Sequence, residues 1–176
     1  MSTNIASPRA DATQTPRFKA DPGLSIGHVH LKVSDLDRSV AFYRDVLGLE
    51  VMEHLGDRAA FLSAGGYHHH LGLNTWHSKG GPRPAQNAVG LFHTAFLYPS
   101  RGALARALQN VLDHDVTLEG AADHGVSEAI YFSDPDGNGI EIYRDRPRAE
   151  WPLRSDGSLS LESDRLDLDA LLAEAP

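Results

Sequence analysis

Ten histidines in 176 residues are more than this length usually carries, and cysteine is absent. Any metal-binding or proton-transfer chemistry must therefore come from imidazoles and carboxylates. His28 and His93 stand 65 residues apart in two stretches that read alike. Glu141 follows the acidic turn Asp134-Pro135-Asp136-Gly137-Asn138-Gly139. Two neutral imidazoles and one carboxylate suit a divalent first-row metal with one face left open, the arrangement of non-heme Fe(II) oxygenases. Side chains alternate along a strand, so His30 shares a face with His28, and spacing alone does not choose between them. In the run His68-His69-His70, alternation sends His69 to one face and its neighbours to the other. His54, His77 and His114 fall near turns or helix ends and are expected at the surface. The DPDGNG stretch is first a turn, and it lacks the ligand spacing of an EF-hand.

Those side chains need a frame, and the frame repeats. Residues 1–23 mix Ser, Thr, Pro and Ala without periodicity and read as a flexible arm. Ile26 to Val33 alternates as a strand, and Ser34 or Asp35 offers an N-cap. Val40, Ala41, Tyr43, Val46 and Leu47 then recur at helical spacing up to Gly48. Strands are expected at Glu50–His54, Ala59–Ser63 and about Tyr67–Thr75, before a Gly- and Pro-rich loop over Ser78–Ala88. The pattern restarts with a strand at Leu91–Tyr98, a helix at Arg101–Asp113, and strands at Asp115–Leu118, Ala129–Ser133 and Ile140–Arg144. Val46-Leu47 and Val111-Leu112 keep the same 65-residue offset as the two histidines. Internal repetition usually dictates architecture. The expected fold is α+β: two βαβββ modules, 24–77 and 89–147, packed as a pseudo-symmetric open cup in one domain spanning 24–147. Residues 148–176 form a tail with a short helix near Leu166–Ala173.

Composition narrows the function. Sixteen Lys+Arg against 24 Asp+Glu give a net charge of −8 without a basic run, which argues against nucleic acid as a partner. No apolar run approaches the roughly 18 residues a membrane helix needs. The N-terminus has no apolar core of a signal peptide, so a cytoplasmic location is expected. Open sheet edges on two βαβββ modules favour a homo-oligomer, first of all a dimer.

Two stretches carry a family likeness. IGHVHLKVSDLDRSVAFYRDVLGLEV, Ile26 to Val51, resembles the first module of the vicinal oxygen chelate superfamily. In that superfamily a ligand histidine stands seven residues before the Asp of the SDL segment, which points to His28. The pattern H-x5-I-Y-x2-D-P-x-G-x3-E, from His124 through Tyr131 to Glu141, is similar to the signature of type I extradiol ring-cleaving dioxygenases. Its one departure is Ala122, at a position without chemistry. Gly66 to Leu73, GYHHHLGL, resembles the segment that holds that family's acid–base histidine, here His69. The likeness covers roughly Ile26 to Trp151.

It implies Fe(II), with Mn(II) as an alternative, held by His28, His93 and Glu141. It also implies His69, His124 and Tyr131 around a catechol-type substrate that is opened by O2. His69 would take a catechol proton and return one as the O–O bond breaks. Many such enzymes have four modules with one active pair, whereas here a single pair must suffice. Glyoxalase I looks like a four-ligand site with a second carboxylate in the strand matching Tyr67–Thr75, where this chain has none. Two alternatives stay open: another metal-dependent enzyme of the fold (lyase, isomerase or thiol transferase), and a non-catalytic small-molecule-binding protein.

Overall fold

The structure, a computed structural model, describes residues 18–85 and 87–175. Most of the arm expected over residues 1–23 lies outside that range. The first module runs β1 (Val29–Lys32), α1 (Leu36–Asp45), β2 (Glu50–Leu55), β3 (Ala59–Ser63) and β4 (Leu71–Asn74). The second runs β5 (His93–Leu97), α2 (Arg101–Asp113), β6 (Gly120–Asp123), β7 (Ser127–Ser133) and β8 (Gly139–Asp145). A two-residue strand, β9 (Asp164–Arg165), and a short helix, α3 (Leu168–Leu172), complete the chain. The fold is α+β, with sheet orders β1-β4-β3-β2 and β5-β8-β7-β6-β9. The first strand of each module pairs in parallel with its last, β1 with β4 and β5 with β8, and the other pairs are antiparallel.

Local chemistry explains the helices. The Asp35 carboxylate accepts from the Arg38 N–H at 3.0 Å, and the Ser100 hydroxyl accepts from the Ala103 N–H at 3.2 Å, so each helix starts on a side-chain cap. Leu36, Val40 and Tyr43 form the buried stripe of α1, and Leu104, Leu108 and Val111 that of α2. Each stripe lies on alternate residues of its sheet, Leu31, Leu62 and Leu73 in one and Ile130, Ile140 and Ile142 in the other. Burying such a side chain stabilises by about 1.5–3 kcal/mol. No helix among the described residues is long and apolar enough to cross a membrane.

Two expectations need correcting. The strand placed at Asp115–Leu118 forms instead at Gly120–Asp123. Asp115 leaves α2 with φ +54, and the Val116 N–H returns to the Val111 carbonyl, so the segment closes the helix before strand pairing begins. The strand placed at Tyr67–Thr75 starts at Leu71, which leaves the three histidines in the turn before it.

The modules are joined by polar contacts as well as core. Asp136 accepts from the Ser34 N–H at 2.8 Å, the Ser34 hydroxyl at 2.6 Å and the Arg38 guanidinium. The buried Tyr43 hydroxyl donates to Asp134 at 3.0 Å. Asn110, on α2, donates to the Asp45 and Val46 carbonyls at the end of α1, both at 2.8 Å. The DPDGNG turn of one module thus clamps the helix of the other.

A candidate metal and proton-transfer site in two halves

The second module gathers one half. β5 and β8 lie side by side in parallel, with His93 opposite Gly139 and Ala95 opposite Glu141. His93 Nε2 reaches Glu141 Oε2 at 2.9 Å. Tyr131, opposite Glu141 on β7, places its hydroxyl 3.3 Å from Glu141 Oε1. Its hydroxyl also lies 2.8 Å from His124 Nε2, and His124 Nδ1 lies 3.0 Å from the Glu162 carbonyl oxygen. Four side chains therefore form one hydrogen-bonded run. Burial first, and the Glu141 charge second, push the Tyr131 phenol up to about 12. His93 Nδ1 is buried without a partner. Its Nε2 is the nitrogen turned toward Glu141.

The first module gathers the other half, which is made of rings. The His28 and His69 rings stand 4.5 Å apart between centroids, and Phe61 meets His69 edge-on at 5.1 Å. His30 packs against Phe61 at 5.9 Å and Trp76 at 5.5 Å. A Cβ on Gly72 would lie 2.9 Å from the His30 ring, so the missing side chain is what lets that ring rest on β4. Burial, and then the neighbouring imidazoles, lower the pKa of His69, and burial with His28 lowers that of His30. Both rings therefore favour the neutral form.

The alternation expected for the histidine run holds only in part. His70 turns away, its Nδ1 2.9 Å from the Ser63 hydroxyl. His68, expected on the face opposite His69, instead touches it, Nδ1 to Nδ1 at 2.8 Å. Gly65 and Gly66, at φ +65 and +76, bend the chain so that strand alternation does not reach His68. Sequence reasoning missed the His68 contact and the Glu162 carbonyl, which lies in an aperiodic tail. His54, His77 and His114 are exposed, as expected.

The donor pair His93 Nε2 and Glu141 Oε2 suits a divalent first-row metal, as two ligands of three. His28 is not brought to that pair, lying instead beside His69. Among the described residues no three His, Asp or Glu side chains are placed so that together they could hold a metal ion. One chain thus brings His93 and Glu141 together on one sheet and gathers, on its other sheet, a cluster of imidazoles.

The comparisons with known proteins agree with this architecture. The profile of the Glyoxalase/Bleomycin resistance protein/Dioxygenase superfamily matches residues 25–142. A catechol-2,3-dioxygenase of Bacillus subtilis (strain 168) is 40% identical over 150 residues, covering 85% of this chain and 52% of that protein. A biphenyl-2,3-diol 1,2-dioxygenase of Rhodococcus globerulus is 32% identical over 133 residues, covering 76% of this chain and 65% of that protein. The chain therefore spans about half to two-thirds of the length of these relatives. Among solved structures, a lactoylglutathione lyase from Agrobacterium tumefaciens superposes with a TM-score of 0.55 at 27% identity, over 70% of this chain and 95% of that one. With more than half of its residues inside the family profile and two βαβββ modules in its fold, the chain belongs to the Glyoxalase/Bleomycin resistance protein/Dioxygenase superfamily.

Proposed function

We propose that the protein is a metal-dependent dioxygenase of the extradiol type, opening the ring of a catechol-type aromatic diol with O2. The observation that carries this reading is the run His93–Glu141–Tyr131–His124. It sets a two-ligand metal half-site directly against a proton-transfer pair. The dioxygenase relatives support the same chemistry.

Fe(II), or Mn(II) in its place, is the proposed metal, with His93, Glu141 and His28 as ligands. When bound it supplies Lewis acidity that lowers the pKa of the diol. The rest falls to side chains. Tyr131, held protonated by burial beside Glu141, rests its one proton on His124 and turns it to a developing oxyanion. His69 in its neutral form is the base for a diol proton, and it returns one later. His124 sits behind Tyr131 as its acceptor. Phe61 and Trp76 give the first module an aromatic wall for the ring of the substrate.

The proposal includes a second copy of the chain that brings its His28 to the His93–Glu141 pair. β1 and β5 are both outer strands of their sheets. Apolar residues lie bare just before each ligand histidine, Ile26 at 88% exposure and Phe92 at 88%. A symmetric pair of chains would cover both edges at once.

The test is anaerobic reconstitution with Fe(II), then catechol and air. O2 uptake with a yellow ring-fission product is expected, and a metal-loaded protein that takes up no O2 with any diol rejects the reading. Mixing a His28→Ala variant with a Glu141→Ala variant isolates the second-copy element. Random pairing should restore about a quarter of wild-type activity, because half the dimers carry one intact site. Mixtures as inactive as the separate variants reject the shared site.

A further inference from the structure

Residues 151–166 lie beyond the family profile, which ends at 142, yet they reach the proton-transfer pair. The segment leaves the core with the Trp151 indole N–H donating to the Arg146 carbonyl at 2.8 Å. The Pro152 ring then sits against Gly125, where a Cβ would come within 2.8 Å of it, at a φ of +72 that also favours glycine. A hairpin closed by the Leu153–Leu159 bridge returns the chain to His124. There the Glu162 N–H donates to the His124 carbonyl at 3.2 Å, and the Glu162 carbonyl faces His124 Nδ1 at 3.0 Å. β9 continues the pairing along Ala122 and Asp123. Leu166 and Leu171, both buried, anchor the far end, with Arg101 donating to the Ala170 carbonyl.

We infer that this C-terminal strap is a positioning element: the Glu162 carbonyl fixes the tautomer of His124, and so fixes which way the Tyr131 proton points. A carbonyl oxygen has no proton to give, so the proton of that contact must sit on His124 Nδ1. In the neutral ring Nε2 is then a bare acceptor, 2.8 Å from the Tyr131 hydroxyl. Tyr131 has one proton, and it goes to His124 rather than to Glu141 at 3.3 Å. Glu141 keeps both carboxylate oxygens as acceptors. Without the strap, an Nε2–H tautomer becomes available. It would donate to Tyr131 and turn the phenol proton onto Glu141, reversing the run. The catalytic consequence rests on the dioxygenase reading, whereas the tautomer does not.

The experiment is long-range 1H–15N correlation of the side-chain nitrogens in 15N-histidine-labelled full-length protein, with His124 identified from the signals lost in His124→Gln. The wild-type spectrum should show His124 protonated at Nδ1 and bare at Nε2. An Nε2–H pattern there overturns the inference without recourse to any further variant. Glu162→Pro removes the N–H that holds the strap to His124. It should mix or switch the tautomer while leaving the other histidine signals in place, and Glu162→Gln should restore the wild-type pattern. A Glu162→Pro protein that folds and keeps the pure Nδ1–H pattern also overturns it. Leu171→Ala, which loosens the anchor far from His124, serves if the proline variant does not fold, and it should likewise mix the tautomers. On active protein, Glu162→Pro should lower kcat about tenfold at unchanged metal content and KM. If wild type shows the tautomer but no turnover, the functional reading fails and the strap assignment stands.

Discussion

The same place in the repeat holds two very different turns. Between β7 and β8 the chain reads DPDGN, and between β3 and β4 it reads AGGYHHH. In the second module Asp134 ties its own turn together, accepting from the Asp136 and Asn138 N–H groups at 2.9 Å and from the Asn138 side chain at 2.8 Å. The matching turn of the first module has two left-handed glycines in place of that carboxylate, and its His68 and His69 rings meet edge to face, 4.6 Å between centroids. One turn commits its carboxylates to holding the fold, while the other ties down only His70, on the Ser63 hydroxyl, and leaves His68 and His69 to each other. A repeat lets these jobs separate, because one copy suffices to clamp the modules and the other is then free to carry imidazoles.

Three substitutions test that division. The largest effect is expected from His69→Ala, which should lower turnover by about 10²–10⁴ while leaving metal content and melting temperature unchanged. Loss of metal would instead make His69 a ligand and give the first-module turn a holding role after all. Next comes Asp134→Ala, expected to destabilise by about 3–5 kcal/mol in denaturant titration, since it strips a buried charged acceptor from the Tyr43 hydroxyl and two backbone donors. A loss below about 1 kcal/mol, the worth of one ordinary hydrogen bond, would mean that the turn does not clamp the modules. The smallest is Gly72→Ala, where the new Cβ meets the His30 ring and should cost about 1–3 kcal/mol, read as a lower denaturation midpoint. A neutral result there would show that His30 moves freely off β4.

The repeat itself was legible because hydrophobic periodicity survives in each module. Ala59–Ser63 and Arg101–Asp113 fall where the pattern puts them. His93 and Glu141 were singled out by their places in the repeat and by the family likeness, whereas the β5–β8 pairing that sets them side by side had no signal in the sequence. Contacts without a local signal were not legible. Nothing near Tyr43 announces Asp134, and nothing in residues 151–166 announces that a backbone carbonyl will meet His124. The His68–His69 contact was missed for another reason: period-2 reasoning applies only inside a strand, and Gly65 and Gly66 delay the strand to Leu71. The separation of His28 from His93 reflects how the modules are set together, which a matched spacing of 65 residues does not encode.

The Tyr43–Asp134 bond has a consequence in time. Its partners are 91 residues apart, so during synthesis α1 and its sheet emerge well before the acceptor exists. At about 5–20 residues per second the gap is roughly 5–20 s, long against the microseconds a helix or hairpin needs to form. Through that interval a phenol destined for full burial has no partner inside the nascent module. The first module is therefore expected to stay loosely packed on the ribosome and to tighten only when the second delivers its aspartate. Late arrival of one carboxylate would make the folding of this two-part repeat a single cooperative event.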